Sequence, residues 1–173
     1  VKEDDKEAFI EFIIDMKAKL NEINKELSVC LAPKTSSFQK GLLYEAHDYQ
    51  KIGKIADYLI IMTYEWGYTY GEPMAISPLP QVKDVIKYAK TVIPKEKIIM
   101  GIPNYGYDWT LPYKKGTAAD SLSITEAMEL ALEEKVEIKH SKAYLTPYFN
   151  YKKEQVSKLV LFCKVINHFR NII

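Results

Sequence analysis

Three times before Pro103, apolar positions at helical spacing give way to a short continuous apolar run. Phe9, Phe12, Ile13, Met16, Leu20, Ile23 and Leu27 recur at intervals of three and four among Asp, Glu and Lys, which predicts one amphipathic helix over residues 4–27. Leu27 to Ala32 follows as a strand stopped by Pro33, and its cysteine, Cys30, is expected to sit buried as a small hydrophobe. Residues 45–56 suit a short helix, Tyr58 to Thr63 a second strand, Val82 to Val92 a third helix ended by Pro94, and Lys97 to Ile102 a third strand. Unbroken apolar runs, rather than alternating ones, are expected of parallel strands covered on both faces. The reading is α/β, built from βα units.

After Pro103 the periodicity is lost. NYGYDWTLPYKKG mixes turn formers with aromatics and reads as a long loop. Ser123-Ile124-Thr125-Glu126 has the spacing of a capping box, opening a helix through about Glu134, and Val136 to Ile138 is a short strand candidate. TPYFNY, ending at Tyr151, is again aromatic and polar. From Lys152 to Ile173 there is neither Gly nor Pro, and no acid after Glu154. Val156, Leu159, Val160, Cys163 and Ile166 fit one helix face, so a terminal packing helix is expected there.

The composition narrows the function classes. With 173 residues, a hydrophobic fraction of 47% and a charged fraction of 27%, the chain has the makings of a packed domain. A formal net charge of +1 gives no reason to expect a nucleic acid or an anionic membrane as partner, and no apolar stretch approaches the roughly 20 residues of a membrane span. Cys30 and Cys163 lie far from each other and from any suitably spaced His, so neither a metal site nor a cofactor is expected. His47, His140 and His168 are scattered singly. No Gly-rich phosphate loop or nucleophile elbow is present.

The richest chemistry lies in Ile60 to Gly71, IIMTYEWGYTYG. An apolar strand ends in Tyr64, Glu65, Trp66, Tyr68 and Tyr70. Sugar rings stack on aromatic faces while their hydroxyls need hydrogen-bonding partners, so this set suits a carbohydrate cleft. Catalytic groups of parallel barrels also sit at the carboxyl ends of strands.

Four segments together, SVCLAPKTS, DYLIIMTYEWGYTYGEPMAISPLPQV, KIIMGIPNYGYDWTLPY and PYFNY, resemble glycoside hydrolase family 18. Within it they are most similar to the branch of spore and cell-wall enzymes that cut peptidoglycan glycan strands. The resemblance covers residues 1–151 and implies part of a (β/α)8 TIM barrel. Leu27 to Ala32, Tyr58 to Thr63 and Lys97 to Ile102 would be like strands five to seven, and residues after Gly116 like a small α+β insertion before the eighth. The N-terminal strands and the last strand would be missing. The family's Asp-x-x-Asp-x-Asp-x-Glu motif of the fourth strand has no match in this sequence, so the resemblance places the general acid upstream of Val1 and assigns no catalytic residue here. Residues 152–173 match nothing in the family pattern and are expected to be a divergent tail, frameshifted or truncated.

The activity implied is hydrolysis of N-acetylglucosamine linkages in peptidoglycan, with the substrate's own acetamido group as nucleophile, an exception to the two-carboxylate scheme. Substrate contacts are carried over to Met62, Tyr64, Glu65, Trp66, Asn104, Tyr105 and Trp109. Tyr107 stands where the family often has Arg, which puts that contact in question. A glycan partner and a spore, cell-wall or extracellular location follow from the same resemblance, as does self-association through open sheet edges. A catalytically silent carbohydrate-binding module and a piece of a chitinase are the alternative readings.

Overall fold

The computed structural model describes residues 1–163. They form two compact units, one of Val1–Thr63 with Lys83–Gly101 and one built mainly from Tyr64–Val82 and the chain after Gly101.

The first unit opens with a 3₁₀ turn, Glu3–Asp5, and helix α1 (Lys6–Glu22). α1 ends short of the predicted residue 27 because Asn24 takes up a left-handed conformation (φ 52°), and the Lys25 amide bonds back to the Leu20 carbonyl. Asn tolerates that region better than most residues and closes helices there. Ile10 and Ile13 are buried, but Phe12 and Ile23 of the expected apolar face are exposed. Strand β1 (Ser28–Leu31), helix α2 (Tyr49–Ile55), strand β2 (Tyr58–Ile61), helix α3 (Leu79–Val92) and strand β3 (Ile98–Met100) follow. Asp48 caps α2 by accepting from the Lys51 amide at 3.0 Å. α3 gives Lys83–Val92 to this unit, burying Val85, Ile86 and Ala89.

The strands pair in parallel in the order β1-β2-β3. Val29, Leu31, Leu59, Ile61 and Ile98 are buried, whereas Cys30 is exposed and Ile99 is 42% exposed. Burial on both faces and a buried Cys30 are therefore corrected. Alternate side chains of a strand point to opposite faces, and the row Cys30–Ile60–Ile99 lies opposite the core. Asp57 closes the start of β2, receiving Lys17 Nζ at 2.8 and 2.7 Å and the Leu27 amide at 2.6 Å.

The second unit is an antiparallel sheet of five strands: β4 (Tyr105–Leu111), β5 (Asp120–Ser123), β6 (Lys139–His140), β7 (Pro147–Lys153) and β8 (Val156–Phe162), with helix α4 (Ile124–Glu133). The order is β5-β4-β8-β7-β6. The capping box forms as expected: Ser123 Oγ accepts from the Glu126 amide and Glu126 Oε2 from the Ser123 amide.

Two expectations fail here. NYGYDWTLPYKKG is not a loop throughout, since Tyr105–Leu111 is a strand. Nor is Val156–Phe162 helical: β8 lies between β4 and β7 and bonds to both. A strand in the middle of a sheet, with apolar contacts on both faces, loses its alternation, and the spacing of Val156, Leu159 and Val160 mimics a helix by coincidence. The predicted helix residues after Cys163 lie outside the described residues. Turn residues Glu154 and Gln155 join β7 to β8, both left-handed (φ 50° and 66°), as a type I′ hairpin requires.

One face of this sheet packs Phe149, Tyr151, Val160 and Phe162 against Ala127 and Ala131 of α4. Asp108 is also buried; Tyr151 Oη donates to its Oδ2 at 2.6 Å and Lys158 Nζ lies 3.6 Å away. Its Oδ1 has no partner among the described residues. Burial pushes the Asp108 carboxyl above the ordinary carboxylate value, against the pull of Tyr151 and Lys158.

Two outcomes follow. Gln155→Gly removes the cost of a left-handed side-chain-bearing residue, about 1–2 kcal/mol, less the entropy of glycine, and should raise stability by about 0.5–1 kcal/mol in urea melts. For Asp108, the folded state holds the proton more tightly than the unfolded one, so ionisation penalises folding as pH rises above the ordinary value near 3.8. The stability of Asp108→Asn relative to the parent should therefore grow with pH from about 4 upward; a shrinking difference would show that the Lys158 pair outweighs burial.

Candidate functional site

The segment that leaves β2 is fixed at its root. The Met62 amide bonds to the Leu31 carbonyl at 3.0 Å, and Thr63 Oγ1 donates to the Gly101 carbonyl at 2.7 Å. Beyond it the chain enters the second unit and doubles back: the Trp66 amide bonds to the Ile76 carbonyl and the Gly67 amide to the Ala75 carbonyl, both at 3.1 Å. Gly67 is required for this, since a Cβ there would lie 1.9 Å from the Met74 carbonyl oxygen. Three bonds hold the far end of the loop: Trp109 Nε1 to the Gly71 carbonyl at 3.0 Å, Tyr113 Oη to the Tyr70 carbonyl at 2.8 Å and the Ala119 amide to the Thr69 carbonyl at 2.7 Å.

Glu65 sits at the start of this loop, exposed and with φ at 68°. Glu is rarely found in that left-handed region, and such strained positions concentrate at functional sites. Tyr105 Oη and Tyr107 Oη both donate to Glu65 Oε1, the latter at 3.0 Å, which leaves Oε2 to accept from a ligand. Burial raises both phenols above their ordinary values, and the facing carboxylate adds to this. Both hydroxyls therefore stay protonated and remain donors at any ordinary pH. A Thr69 hydrogen bond to Tyr107 works the other way. Rings behind the carboxylate are interlocked: Tyr105 and Tyr107 meet edge to face at 5.6 Å, as do Tyr107 and Trp109. Tyr64 packs against the same cluster, which is centred on Ile76, Tyr107, Trp109 and Ala119.

Of the seven residues expected to contact substrate, then, Tyr64, Glu65 and Tyr105 come together. Asn104 is exposed immediately before β4, Met62 is half-buried in the first unit, and Trp66 is half-buried beside Glu65 in the chain. Trp109 is a correction. It is 1% exposed, with its indole N–H spent on Gly71, so it is a core residue that anchors the loop. Tyr107, whose contact was in question, reaches Glu65 directly. The alternation Tyr105-x-Tyr107-x-Trp109 was the available signal, because it puts three rings on one face of a strand. Among the described residues no group of three His, Cys, Asp or Glu side chains is placed to hold a metal ion, and no helix is long and apolar enough to cross a membrane.

The fold and the sequence both match known proteins. The model for glycosyl hydrolases family 18 matches residues 1–162, so the chain belongs to that family. Among its relatives, the cortical fragment-lytic enzyme of Bacillus subtilis is 45% identical over 148 residues, which are 85% of this chain and 34% of the relative. The crystal structure of the Bacillus cereus spore cortex-lytic enzyme SleL superposes with a TM-score of 0.90 at 44% identity, covering 95% of this chain and 38% of that one. That of the sporulation-specific glycosylase ydhD from Bacillus subtilis gives 0.92 at 31% identity, covering 99% and 57%. The chain thus spans about a third of the length of the curated cortical fragment-lytic relatives it matches. The family match also continues past Tyr151 to the end of β8.

Coupling between Glu65 and Tyr107 is directly measurable. In a double-mutant cycle of Glu65→Gln and Tyr107→Phe, read by urea unfolding, an interaction energy of about 1 kcal/mol is expected. A value of zero would mean that the two side chains are neighbours without an energetic link.

Proposed function

We propose that this chain is the sugar-holding part of a glycosidase that hydrolyses N-acetylglucosamine linkages in peptidoglycan, at the spore cortex or cell wall. The observation that carries the reading is the Glu65 carboxylate, set in a strained backbone position and oriented by two tyrosine hydroxyls, in a chain of glycosyl hydrolases family 18. Its cortical fragment-lytic relatives supply the substrate class.

In this reading β1, β2 and β3 correspond to three successive strands of a (β/α)8 barrel, and the antiparallel unit to an insertion before the last strand. The family domain is read as reaching past Tyr151, a reading supported by the match over residues 1–162. Hydrolysis is substrate-assisted: the acetamido oxygen of the sugar attacks its own anomeric carbon while a proton is delivered to the leaving oxygen. Glu65 Oε2 accepts a hydrogen bond from the acetamido N–H or a ring hydroxyl, Tyr64 offers a phenol to the acetamido oxygen, and Tyr105 completes the wall. Holding the internal nucleophile in attack geometry is the work of these residues. No residue of this sequence is assigned as proton donor, because the acidic motif that carries it in the family is absent. Residues 1–173 alone therefore bind glycan without cleaving it, and the outer edges of β1 and β3 are the places through which copies associate.

The second reading is a catalytically silent carbohydrate-binding module. Calorimetry with N-acetylglucosamine tetramer separates the cases. Saturable binding, weakened about tenfold or more by Glu65→Gln and without release of reducing ends, is expected, since losing a charged acceptor costs about 1.5–3 kcal/mol. Turnover by the chain alone would overturn the assignment of the proton donor outside it. Absence of binding would overturn the glycan reading.

A further inference from the structure

We propose that His47 is a proton-sensitive latch on the loop between β1 and α2: unprotonated at Nδ1 it fastens the root of the loop, and protonated it lets the loop go. The latch makes no use of the glycan reading and stands or falls without it.

The chain from Ala32 to Asp48 leaves the end of β1 and returns to the start of α2, with its two ends bonded to each other. Four hydrogen bonds close that root. The Ala32 amide donates to His47 Nδ1 at 2.8 Å, and Lys34 Nζ donates to the His47 carbonyl at 3.1 Å. The Lys34 amide donates to Tyr49 Oη at 3.0 Å, and that hydroxyl donates to the Ala32 carbonyl at 2.5 Å. Beyond the root the bonds are local: Thr35 amide to Gln39 Oε1, Gly41 amide to Glu45 Oε2 and Tyr44 amide to the Gly41 carbonyl. Ser37 adds a side-chain bond to Tyr88 of α3. The tip is open to water, with Phe38, Leu42 and Leu43 89%, 73% and 64% exposed. A loop held chiefly at its root opens as a unit when the root gives way.

Of the four acceptors at the root, Nδ1 is the one that a proton can occupy near neutral pH. An imidazole nitrogen that accepts from an amide must carry its lone pair, so His47 is the neutral tautomer with its proton on Nε2. A second proton sets N–H against N–H. The Ala32 amide, in a residue 1% exposed, is then buried without an acceptor.

The surroundings keep that proton off. Burial first, then the amino group of Val1 and the Lys34 ammonium, hold the imidazole below its ordinary value of 6.5. Phe9 of α1 lies ring to ring with it at 6.0 Å. The other titratable groups at the root behave differently. Burial raises the Asp48 carboxyl, but the Lys51 amide and Lys6 outweigh this and hold it below the ordinary carboxylate value. Burial and Lys6 lower the Lys34 amine, against Asp48 and Glu45. Burial pushes the Tyr49 phenol up, so its hydroxyl stays a donor. Since the folded chain favours neutral His47, the latch is fully closed above about pH 6.5 and opens as pH falls through the lower folded value. Its opening reaches β2 as well, because the neighbouring Leu31 carbonyl accepts from the Met62 amide at 3.0 Å.

The test follows the 173-residue chain from pH 8 to 4.5. Heteronuclear NMR reads the His47 ring nitrogens. Hydrogen exchange, corrected for the intrinsic rate at each pH, reads the Ala32 amide and residues 33–47. The expected result is an unprotonated Nδ1 at pH 8 and protection at Ala32 that falls about tenfold or more along the titration curve of His47 itself. His47→Asn puts an amide oxygen, which does not titrate, close to the place of Nδ1, and should keep Ala32 protected throughout. A protonated Nδ1 at pH 8 overturns the latch. So does protection that stays constant, that changes away from the His47 titration, or that is lost equally at Val85 and Ile86 of α3, which would mark global unfolding. An Asn variant that loses protection like the parent overturns it too, and if that variant does not fold the parent's two curves decide alone.

Discussion

The pairing of β4 with β8 is the contact on which the second unit depends. β8 is the middle strand of five, and through it the β5-β4 half is joined to the β7-β6 half. The pairing tolerates no side chain at Gly106. A Cβ there would come within 2.5 Å of the Phe162 Cβ and 2.8 Å of the Leu161 carbonyl oxygen. Glycine usually weakens a strand, yet here the close approach it permits is what lets the two strands register. With Gly106 seated against Phe162, Tyr107 and Trp109 fall opposite Leu161 and Leu159, and Tyr105, Tyr107 and Trp109 share the face away from α4.

From that register the candidate site follows without further invention. Trp109, the innermost of the three rings, is buried and fastens the tip of the loop; Tyr107 and Tyr105, nearer the strand's start, reach the carboxylate at the loop's root. One strand therefore both anchors the loop and orients its acid. The left-handed backbone at Glu65 costs on the order of 1–3 kcal/mol, a cost that persists only where neighbours over-determine the geometry. Two phenol donors and the paired backbone of Trp66 and Gly67 are such neighbours.

How much of this the sequence revealed depended on whether the relevant force was local. The capping box at Ser123 and Glu126 was readable because both partners lie within one helical turn. The three parallel strands were readable as apolar runs, although their burial on one face only was not: Ile60 and Ile99 look the same in sequence as Leu59 and Ile61. β4 was hidden by its own requirements, since Gly106 and Asp108 are turn formers elsewhere and here are a steric necessity and a buried hydrogen-bond acceptor. β8 was hidden by being central, with apolar residues owed to both faces. At the site, Glu65 and Tyr64 stood out in the sequence, but the indole of Trp109 and the phenol of Tyr107 exchanged their expected importance. That outcome is set by which residues of β4 face inward and how far along the strand they lie, information that exists only once β4 and β8 are in register.

The position of Tyr107 has a chemical consequence. A guanidinium beside Glu65 would form a fixed ion pair and present the acid as a half-neutralised partner. A phenol donates one hydrogen bond and brings no charge, so the carboxylate keeps its full negative charge and its strength as an acceptor. Two phenols on the same oxygen fix the orientation of the group while the second oxygen stays open. A charged acceptor oriented by neutral donors discriminates for N–H and O–H donors over anions.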